Sequence, residues 1–337
     1  MTNYQSITGK TILTGDRPTG ALHIGHYLGS LQARVELQAQ NDQTVLIADL
    51  QALTDNSGRP AHVQENIRQV VLDYLACGID PARTTIALQS RLPALAELTM
   101  LFMNLVSVNR LLRNPTIKTE IEQRGFGDSI PAGFLCYPIS QAADITAFDA
   151  DLVPAGADQN PLIEQTNEIV AAVNRVGGDA ILRPCKILLS NASRLPGIDG
   201  KGKMSKSAGN AILLKDDPDT IRSKVMAMFT DPDHIRVSDP GRVEGNVVFM
   251  MLEAFDSDLD EVSNLKQHYR DGGLGDVVLK KRLNDILQAR LEPIRTAREQ
   301  LANDEGHLME IVAEGTAKAN EKTQEVLSRV RCAFRLE

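Results

Sequence analysis

The first half of the chain alternates short apolar runs with longer stretches that have helical periodicity. Strand-like runs occupy residues 11–14, 45–48, 85–89 and 151–154, and helix-like stretches occupy residues 26–40, 63–77, 95–112 and 159–176. Strands that alternate with helices in this way pair in parallel, because each helix carries the chain back across a face of the sheet. The sequence therefore predicts an α/β fold with a doubly wound, Rossmann-like parallel sheet.

The character of the chain changes after residue 215. Helical periodicity dominates from there to residue 335, and it is broken near Pro232, Pro240 and Gly272. A chain of 337 residues is long enough for two cores. We expect an α/β domain at residues 1–215 and an α-helical domain at residues 216–337.

A glycine-containing segment joins the first predicted strand to the first predicted helix. Gly15 and Gly20 allow a tight turn close to a ligand, and the free N–H groups of the helix start favour a nucleotide phosphate. His23 and His26 share one helical face, where two imidazole donors would stabilise charge that develops on an α-phosphate. Gly25 leaves room between them for a base or ribose. Surface polar residues, or ligands of a metal such as zinc, are alternative interpretations of the histidines.

A second polar segment, at residues 197–209, is rich in glycine and lysine and has no apolar periodicity. It predicts a mobile loop that carries the ammonium groups of Lys203 and Lys206. These charges would stabilise a departing pyrophosphate, and the hydroxyls of Ser205 and Ser207 would add donors. A solvated basic loop without a function is the alternative.

The two segments together resemble the signatures of a known family. The strings HIGH at residues 23–26 and KMSKS at residues 203–207, in this order, resemble those of class I aminoacyl-tRNA synthetases. Residues 137–145 and 152–159 resemble the subclass that handles tryptophan and tyrosine. With residues 16–31, the chain is similar to bacterial tryptophanyl-tRNA synthetases over nearly its whole length.

This resemblance implies a function and a set of site residues. The function is activation of L-tryptophan by ATP to tryptophanyl-adenylate, followed by transfer to the 3′ end of tRNA(Trp). The implied catalytic residues are His23, His26, Lys203 and Lys206. The implied ATP-binding residues are Arg17, Pro18, Thr19, Gly25, His26, Gly156, Ala157, Asp158, Leu195, Lys203, Met204, Ser205, Lys206 and Ser207. The implied tryptophan-binding residues are Tyr137, Gln141, Asp144 and Gln159.

The residues themselves decide only part of the substrate question. Asp144 could accept a hydrogen bond from an indole N–H or from a phenol O–H. Tyrosine enzymes typically place a phenolic partner on the first strand, whereas residues 12–14 here offer apolar area for a larger ring. Arg17 and Gln141 depart from many bacterial tryptophan enzymes, which have glutamine and methionine there, although one branch of the family shares them.

Three other functions stay open at this point. The nearest is a tyrosine enzyme of the same subclass. A nucleotidyltransferase that adenylylates a small cofactor precursor shares a histidine pair at the same helix start, although such enzymes are usually shorter and lack a helical second half. The third is a non-catalytic, synthetase-like RNA-binding protein, which need not keep both histidines and both lysines.

The composition of the chain limits which metals, membranes and macromolecules it is expected to bind. The four cysteines are far apart, which indicates neither a disulfide framework nor a zinc site, and no metal ligand set is evident, so we expect Mg²⁺ to arrive on ATP. The net charge of −8 does not exclude a local basic patch. Without a secretory signal or a run of about 20 apolar residues, we expect a cytoplasmic protein with no membrane contact. The family implies a homodimer and tRNA contact. Two helical segments are rich in basic residues, although such residues on a helix usually form only a solvent-exposed face, so tRNA contact rests mainly on the family. They are Lys280, Lys281, Arg282, Arg290, Arg295, Arg298, Lys318, Lys322, Arg329, Arg331 and Arg335.

Overall fold

A five-stranded parallel sheet organises the computed structural model, which describes residues 4–189, 195–206 and 208–336. The strands are β1 (Thr11–Asp16), β2 (Asp42–Ile47), β3 (Thr84–Leu88), β4 (Leu152–Ala155) and β5 (Lys186–Leu189). Their order in the sheet is β3-β2-β1-β4-β5, and β1 pairs with β2 from Thr11 opposite Asp42 to Asp16 opposite Ile47. The strand order therefore reverses between β1 and β4, which is where ligands bind in open α/β sheets.

The predicted doubly wound parallel sheet is confirmed. The helices are α1 (Ile24–His26), α2 (Gln32–Leu37), α3 (Asp49–Asn56), α4 (Pro60–Ala76), α5 (Pro93–Met103), α6 (Val108–Leu112), α7 (Pro115–Arg124), α8 (Ala132–Ala147), α9 (Asn160–Gly177), α10 (Pro218–Met226), α11 (Val247–Phe255), α12 (Leu259–Asp271), α13 (Asp276–Leu301) and α14 (Glu305–Ala333). A π-helical stretch, Tyr27–Leu31, joins α1 to α2, and short 3₁₀ turns lie at Tyr4–Ser6, Gln89–Arg91 and Ala157–Gln159.

One predicted helix is wrong in its length. The helix expected over residues 95–112 is two helices, because α5 ends at Met103 and α6 begins at Val108. Ser107 accepts a hydrogen bond from the Arg110 N–H (3.2 Å) and so caps the second helix. Leu105 and Val106, between the two helices, still pack on the core, so the apolar pattern continues although the helix does not.

The sheet is buried on both faces, as a parallel sheet must be. Val45 and Ile47 pack on one face with α4 and with the helices α10 to α13, whereas Leu46 lies on the other face with α5 and α8. This period of two follows from the alternation of side chains along a strand. The helices after residue 215 thus share a hydrophobic core with the sheet.

The long helix α14 covers the edge of the sheet at β3. Thr316 Oγ1 accepts a hydrogen bond from the Leu88 N–H (3.0 Å), and a Cβ at Gly315 would collide with the Ile86 carbonyl oxygen. Glycine is therefore required where the helix backbone crosses the strand. The first turns of α14 pack on one face of the sheet, and Val326 and Val330 pack on the other. The free edge of β3, whose backbone groups could otherwise pair with another chain, is thereby covered. The boundary between residues 215 and 216 stays a prediction.

Candidate active site

The turn after β1 rests on a buried acidic group. Asp16 Oδ2 accepts hydrogen bonds from Arg34 Nη1 (2.6 Å) and from the Tyr74 hydroxyl (2.8 Å). Burial raises the pKa of Asp16, but the Arg34 charge, the His26 ring and the hydrogen bonds from Arg34 and Tyr74 together outweigh burial and hold this pKa well below its usual value. The carboxylate therefore stays ionised beneath the turn and favours positive or donor groups above it.

His23 and His26 lie at the switch point, at the start of α1. Their ring centroids are 3.9 Å apart. His23 Nδ1 accepts a hydrogen bond from the Gly25 N–H (3.1 Å), and His26 Nδ1 accepts one from the His23 N–H (3.3 Å). This is a reciprocal capping box in which imidazoles take the roles of the usual cap side chains. Since both Nδ1 atoms are acceptors, the proton of each neutral ring lies on Nε2, which is left as the donor.

Both imidazoles are held neutral. Burial is the largest cause of their lowered pKa values, about 2 for His23 and about 4 for His26. The His26 ring, Lys206 and Lys203 lower the pKa of His23 further, and Lys206, Arg34 and Lys203 lower that of His26, whereas Asp16 raises both. The pair therefore offers two neutral N–H donors at neutral pH rather than an acid and a base. Such donors can stabilise developing oxyanion charge without a change of protonation.

Two glycines allow this packing. A Cβ at Gly25 would lie 2.8 Å from the ring of His23, so any side chain there displaces the imidazole. Gly20 has φ +141°, and a Cβ there would lie 3.0 Å from Lys206 Cδ. Gly15, which the sequence places in the turn, lies instead inside β1, where a Cβ would collide with the Leu46 carbonyl oxygen. Its role is close strand pairing rather than ligand approach.

The segment that directly follows the lysine-rich loop is attached to the histidine turn. The Ile24 N–H donates to the Ile212 carbonyl (3.0 Å), and the Leu214 N–H donates to the Leu22 carbonyl (2.9 Å). His23 and Leu213 thus form an isolated antiparallel bridge. This contact brings together two motifs that are far apart in sequence, and no local sequence pattern predicts it.

Within the loop, residues 195–206 are more ordered by hydrogen bonds than the sequence indicates. Leu195 and Met204 are buried and joined by a hydrogen bond from the Met204 N–H to the Leu195 carbonyl (3.1 Å). The Ser205 N–H donates to Asn210 Oδ1 (2.8 Å). Lys206 Nζ donates to the Gly20 carbonyl (2.9 Å), whereas Lys203 is exposed. Ser207 lies outside the described residues.

Arg17, Pro18 and Thr19 form the outer wall of the turn. Arg17 Nη1 donates to Asp55 Oδ2 (2.6 Å), and Arg124 of α7 donates to both oxygens of the same carboxylate. The Thr19 N–H donates to the Arg17 carbonyl (2.8 Å). One carboxylate from α3 therefore holds two guanidinium groups at the rim of the site, a pairing that the sequence does not show.

Asp144 is buried in the interior of α8, with its side chain against the end of β3. Gln89 Nε2 donates to both of its carboxylate oxygens, at 3.0 and 2.8 Å. Burial raises the pKa of Asp144 to about 7, Gln89 lowers it, and the Asp49 charge adds to the increase. Gln89 was predicted only as the last residue of a strand. A polar side chain directly after the apolar run of β3 is the signal that could have marked it.

Gln141 and Tyr137 lie about one and two turns before Asp144 on the same helix. Tyr137 is buried, and burial together with a hydrogen bond to Glu120 raises the pKa of its hydroxyl. Gln141 is half-buried. All three lie inside α8, at least one turn after its first residue, so none of them caps the N-terminus of the helix.

The segment after β4 forms the opposite side of the switch point. Gly156 precedes the 3₁₀ turn Ala157–Gln159, and a Cβ on it would lie 2.6 Å from Asp158 Oδ1. Gln159 Nε2 donates to Asp158 Oδ2 (3.1 Å). The N-cap of α9 is Gln159, so Asp158 is not a plain helix cap. Asp158 is exposed and lies just after β4, at the end of the sheet where a ribose hydroxyl or an amine is met in such folds.

Several basic side chains of the helical segments form ion pairs with nearby carboxylates. Arg282 Nε contacts Asp256 Oδ2 (2.7 Å), and Arg329 Nη2 contacts Asp149 Oδ2 (2.6 Å). Arg298, expected on a solvated face, is buried instead and paired with Asp73. These groups hold helices together and are unavailable as a simple basic face.

The described residues contain neither a cluster of metal ligands nor a membrane-spanning helix. Among residues 4–189, 195–206 and 208–336, no three His, Cys, Asp or Glu side chains cluster so that they could hold a metal ion. In the same ranges no helix is long and apolar enough to cross a membrane. All four cysteines are free thiols.

A histidine pair and a lysine loop joined at the switch point of a parallel sheet are suited to nucleotidyl transfer, and comparisons identify the family. The model of the tRNA synthetases of class I (W and Y) matches residues 8–292. A tryptophan–tRNA ligase of Clostridium longisporum is 54% identical over 330 residues, which cover 97% of each chain. One of Streptococcus pneumoniae is 54% identical over 337 residues, which cover 98% of this chain and 99% of that protein.

A solved structure agrees with these relatives. Tryptophanyl-tRNA synthetase from Campylobacter jejuni, complexed with ADP and tryptophan, matches with a TM-score of 0.82 at 28% identity, covering 96% of this chain and 99% of the other. The chain belongs to the class I tRNA synthetases of the tryptophan and tyrosine type.

Proposed function

We infer that this chain is a tryptophan–tRNA ligase. In the first step the carboxylate of L-tryptophan attacks the α-phosphate of ATP, which gives tryptophanyl-adenylate and releases pyrophosphate. In the second step a hydroxyl of the terminal ribose of tRNA(Trp) attacks the carbonyl of the adenylate, and AMP leaves. Positioning and electrostatic stabilisation carry the first step, as in phosphoryl transfer generally.

The observation that carries this proposal is that the lysine loop contacts the histidine turn through Lys206 and that the segment directly after the loop is bonded to the same turn. In-line attack places charge on the α-phosphate and on the departing pyrophosphate at the same time. The neutral His23 and His26 donors serve the first charge, and Lys203 and Lys206 serve the second. The bridge between His23 and Leu213 fixes the position of the histidine donors relative to the lysine donors. A solvated basic loop would need no such bridge.

The other proposed ATP-binding residues are assigned from their location around the histidine turn. The backbone and side chains of Arg17, Pro18, Thr19 and Gly25 line the turn on one side. Gly156, Ala157 and Asp158, which follow β4, would contact the nucleotide from the other side of the switch point between β1 and β4. Leu195, Met204, Ser205 and Ser207 complete the proposed ATP site from the loop.

For the amino acid, the proposed pocket is the buried end of α8. Asp144 would accept the indole N–H, and Gln141, Tyr137 and Gln159 would contact the rest of the substrate. Gln89 holds the carboxylate from behind through its two hydrogen bonds. A buried acceptor of this kind discriminates strongly against analogues that lack the donor, because it would be left unpaired.

The partners and context are part of the proposal. Mg²⁺ enters with ATP as part of the substrate, held mainly by phosphates and water. The helices after residue 215 would read the anticodon of tRNA(Trp), and the family's assembly as a homodimer in the cytoplasm would apply here.

Amino-acid-dependent ATP–pyrophosphate exchange, in Mg²⁺ and without tRNA, tests the first step across the standard amino acids. Exchange with tryptophan alone is expected. Exchange with tyrosine would move the assignment to the other half of the subclass, and no exchange would favour a non-catalytic protein. Lys206→Ala should lose activity, whereas Lys201→Ala, which removes an exposed lysine of the same loop outside the motif, should not.

A further inference from the structure

A buried ion pair lies directly behind the histidine turn. Asp73, in α4, is fully buried and accepts hydrogen bonds from two places far apart in sequence. Its Oδ2 accepts from the Leu22 N–H (2.6 Å), and its Oδ1 accepts from Arg298 Nη1. Arg298, in α13, also donates to Gln69 Oε1 (2.5 Å) and to the Gln69 carbonyl (3.2 Å). None of these groups lies in a sequence motif.

The peptide group that Asp73 holds is the one next to the catalytic turn. Leu22 directly precedes His23, and its carbonyl accepts from the Leu214 N–H of the loop segment. The Leu22 residue is therefore fixed at its N–H by Asp73 and at its carbonyl by the loop. The ring of His23 is placed by backbone that these two bonds define.

The bond from Leu22 to Asp73 is a strong one. A carboxylate acceptor gives a hydrogen bond roughly twice as strong as a neutral one. Burial raises the pKa of Asp73 to about 6, and the Arg298 charge opposes that increase. The guanidinium thus keeps the acceptor ionised at neutral pH, and Gln69 keeps the guanidinium aligned.

We propose that Asp73 is a positioning residue for adenylate formation, oriented by Arg298, and that it acts by holding the Leu22 N–H so that His23 and His26 meet the α-phosphate. This role rests on the proposed function and adds two residues of α4 and α13 to its machinery. Misplacement of a catalytic group by about 1 Å can cost 10²-fold in rate, even when the cause lies away from the reacting atoms.

Two double variants separate positioning from stability. Asp73→Leu with Arg298→Met removes the ion pair and the acceptor together, and Asp73→Asn with Arg298→Met removes the ion pair but keeps an oxygen for the Leu22 N–H. Both leave no unpaired buried charge, so both are expected to fold. Tryptophan-dependent exchange should show a kcat about 10- to 100-fold lower for the first. The second should recover most of that loss, and KM for tryptophan should stay unchanged in both.

Asp256→Asn is the control, because it disrupts another ion pair of α13, between Asp256 and the half-buried Arg282, that has no contact with the histidine turn. It should lower the urea midpoint without lowering kcat. Equal kcat values in the two double variants, or a kcat that follows the urea midpoint in all three proteins, would overturn the positioning role. Exchange by the unmodified chain tests the proposed function separately, so the two failures are distinguishable.

Discussion

The buried carboxylate of Asp144 makes the stability of the protein depend on pH in a calculable way. Its pKa is about 7 in the folded protein against an ordinary value of 3.8. Below pH 3.8 both states hold the proton, and the group contributes no pH dependence. Between pH 3.8 and about 7 the unfolded chain has lost the proton while the folded one keeps it, so stability falls as pH rises. Above pH 7 the cost is complete and constant.

The size of this cost follows from the two pKa values. At about 1.36 kcal/mol per pH unit, the interval from 3.8 to about 7 corresponds to at most about 4 kcal/mol. The substitution Asp144→Asn removes the charge and keeps the shape. It also perturbs the hydrogen bonds from Gln89, which changes stability by about 1 kcal/mol at every pH. The pH-dependent part therefore isolates the charge.

Urea unfolding of the original protein and of Asp144→Asn at pH 5, 6, 7 and 8 measures this difference. The variant should gain stability relative to the original at about 1.36 kcal/mol per pH unit between pH 5 and 7, and the gain should level off by pH 8. A difference in unfolding free energy that is constant over this range would refute the assignment of a raised pKa to a buried carboxyl at this position.

Three further outcomes are expected. Tryptophan binding at pH 7 should release protons, because an indole donor lowers the pKa of Asp144; binding enthalpies measured in two buffers of different ionisation heat detect this, and equal enthalpies would contradict it. His26→Ala should slow pyrophosphate exchange by about 2.7–4 kcal/mol in transition-state stabilisation while tryptophan affinity stays unchanged, and equal losses in both would indicate a structural residue. Gly25→Ala should displace the His23 ring and slow exchange strongly, whereas Gly29→Ala, with nothing within 4 Å of its Cβ, should not, and similar rates would show that the ring has room to move.

The sequence predicted the sheet because each strand is a short apolar run and each helix is amphipathic. It missed β5, since Lys186–Leu189 is a four-residue strand with exposed ends and no alternation to mark it. It merged α5 with α6 because apolar residues continue through the gap at the right spacing, while the cap from Ser107 is a local hydrogen bond that periodicity does not register. Local signals thus gave the order of the elements, and their ends depended on capping.

The candidate site likewise contains residues that the sequence predicts and residues that only the structure shows. Motif residues such as His23 and Lys206 are visible in the sequence because their chemistry requires fixed spacing. The residues that orient them are not, because Gln89 reaches Asp144 and Asp73 reaches Leu22 only after the strands and helices have packed. A buried polar side chain must find a partner, so each such partner is determined by the fold rather than by its neighbours in sequence. The reactive groups of this enzyme can therefore be predicted from the amino-acid sequence. The groups that set their pKa and position can be identified only from the structure.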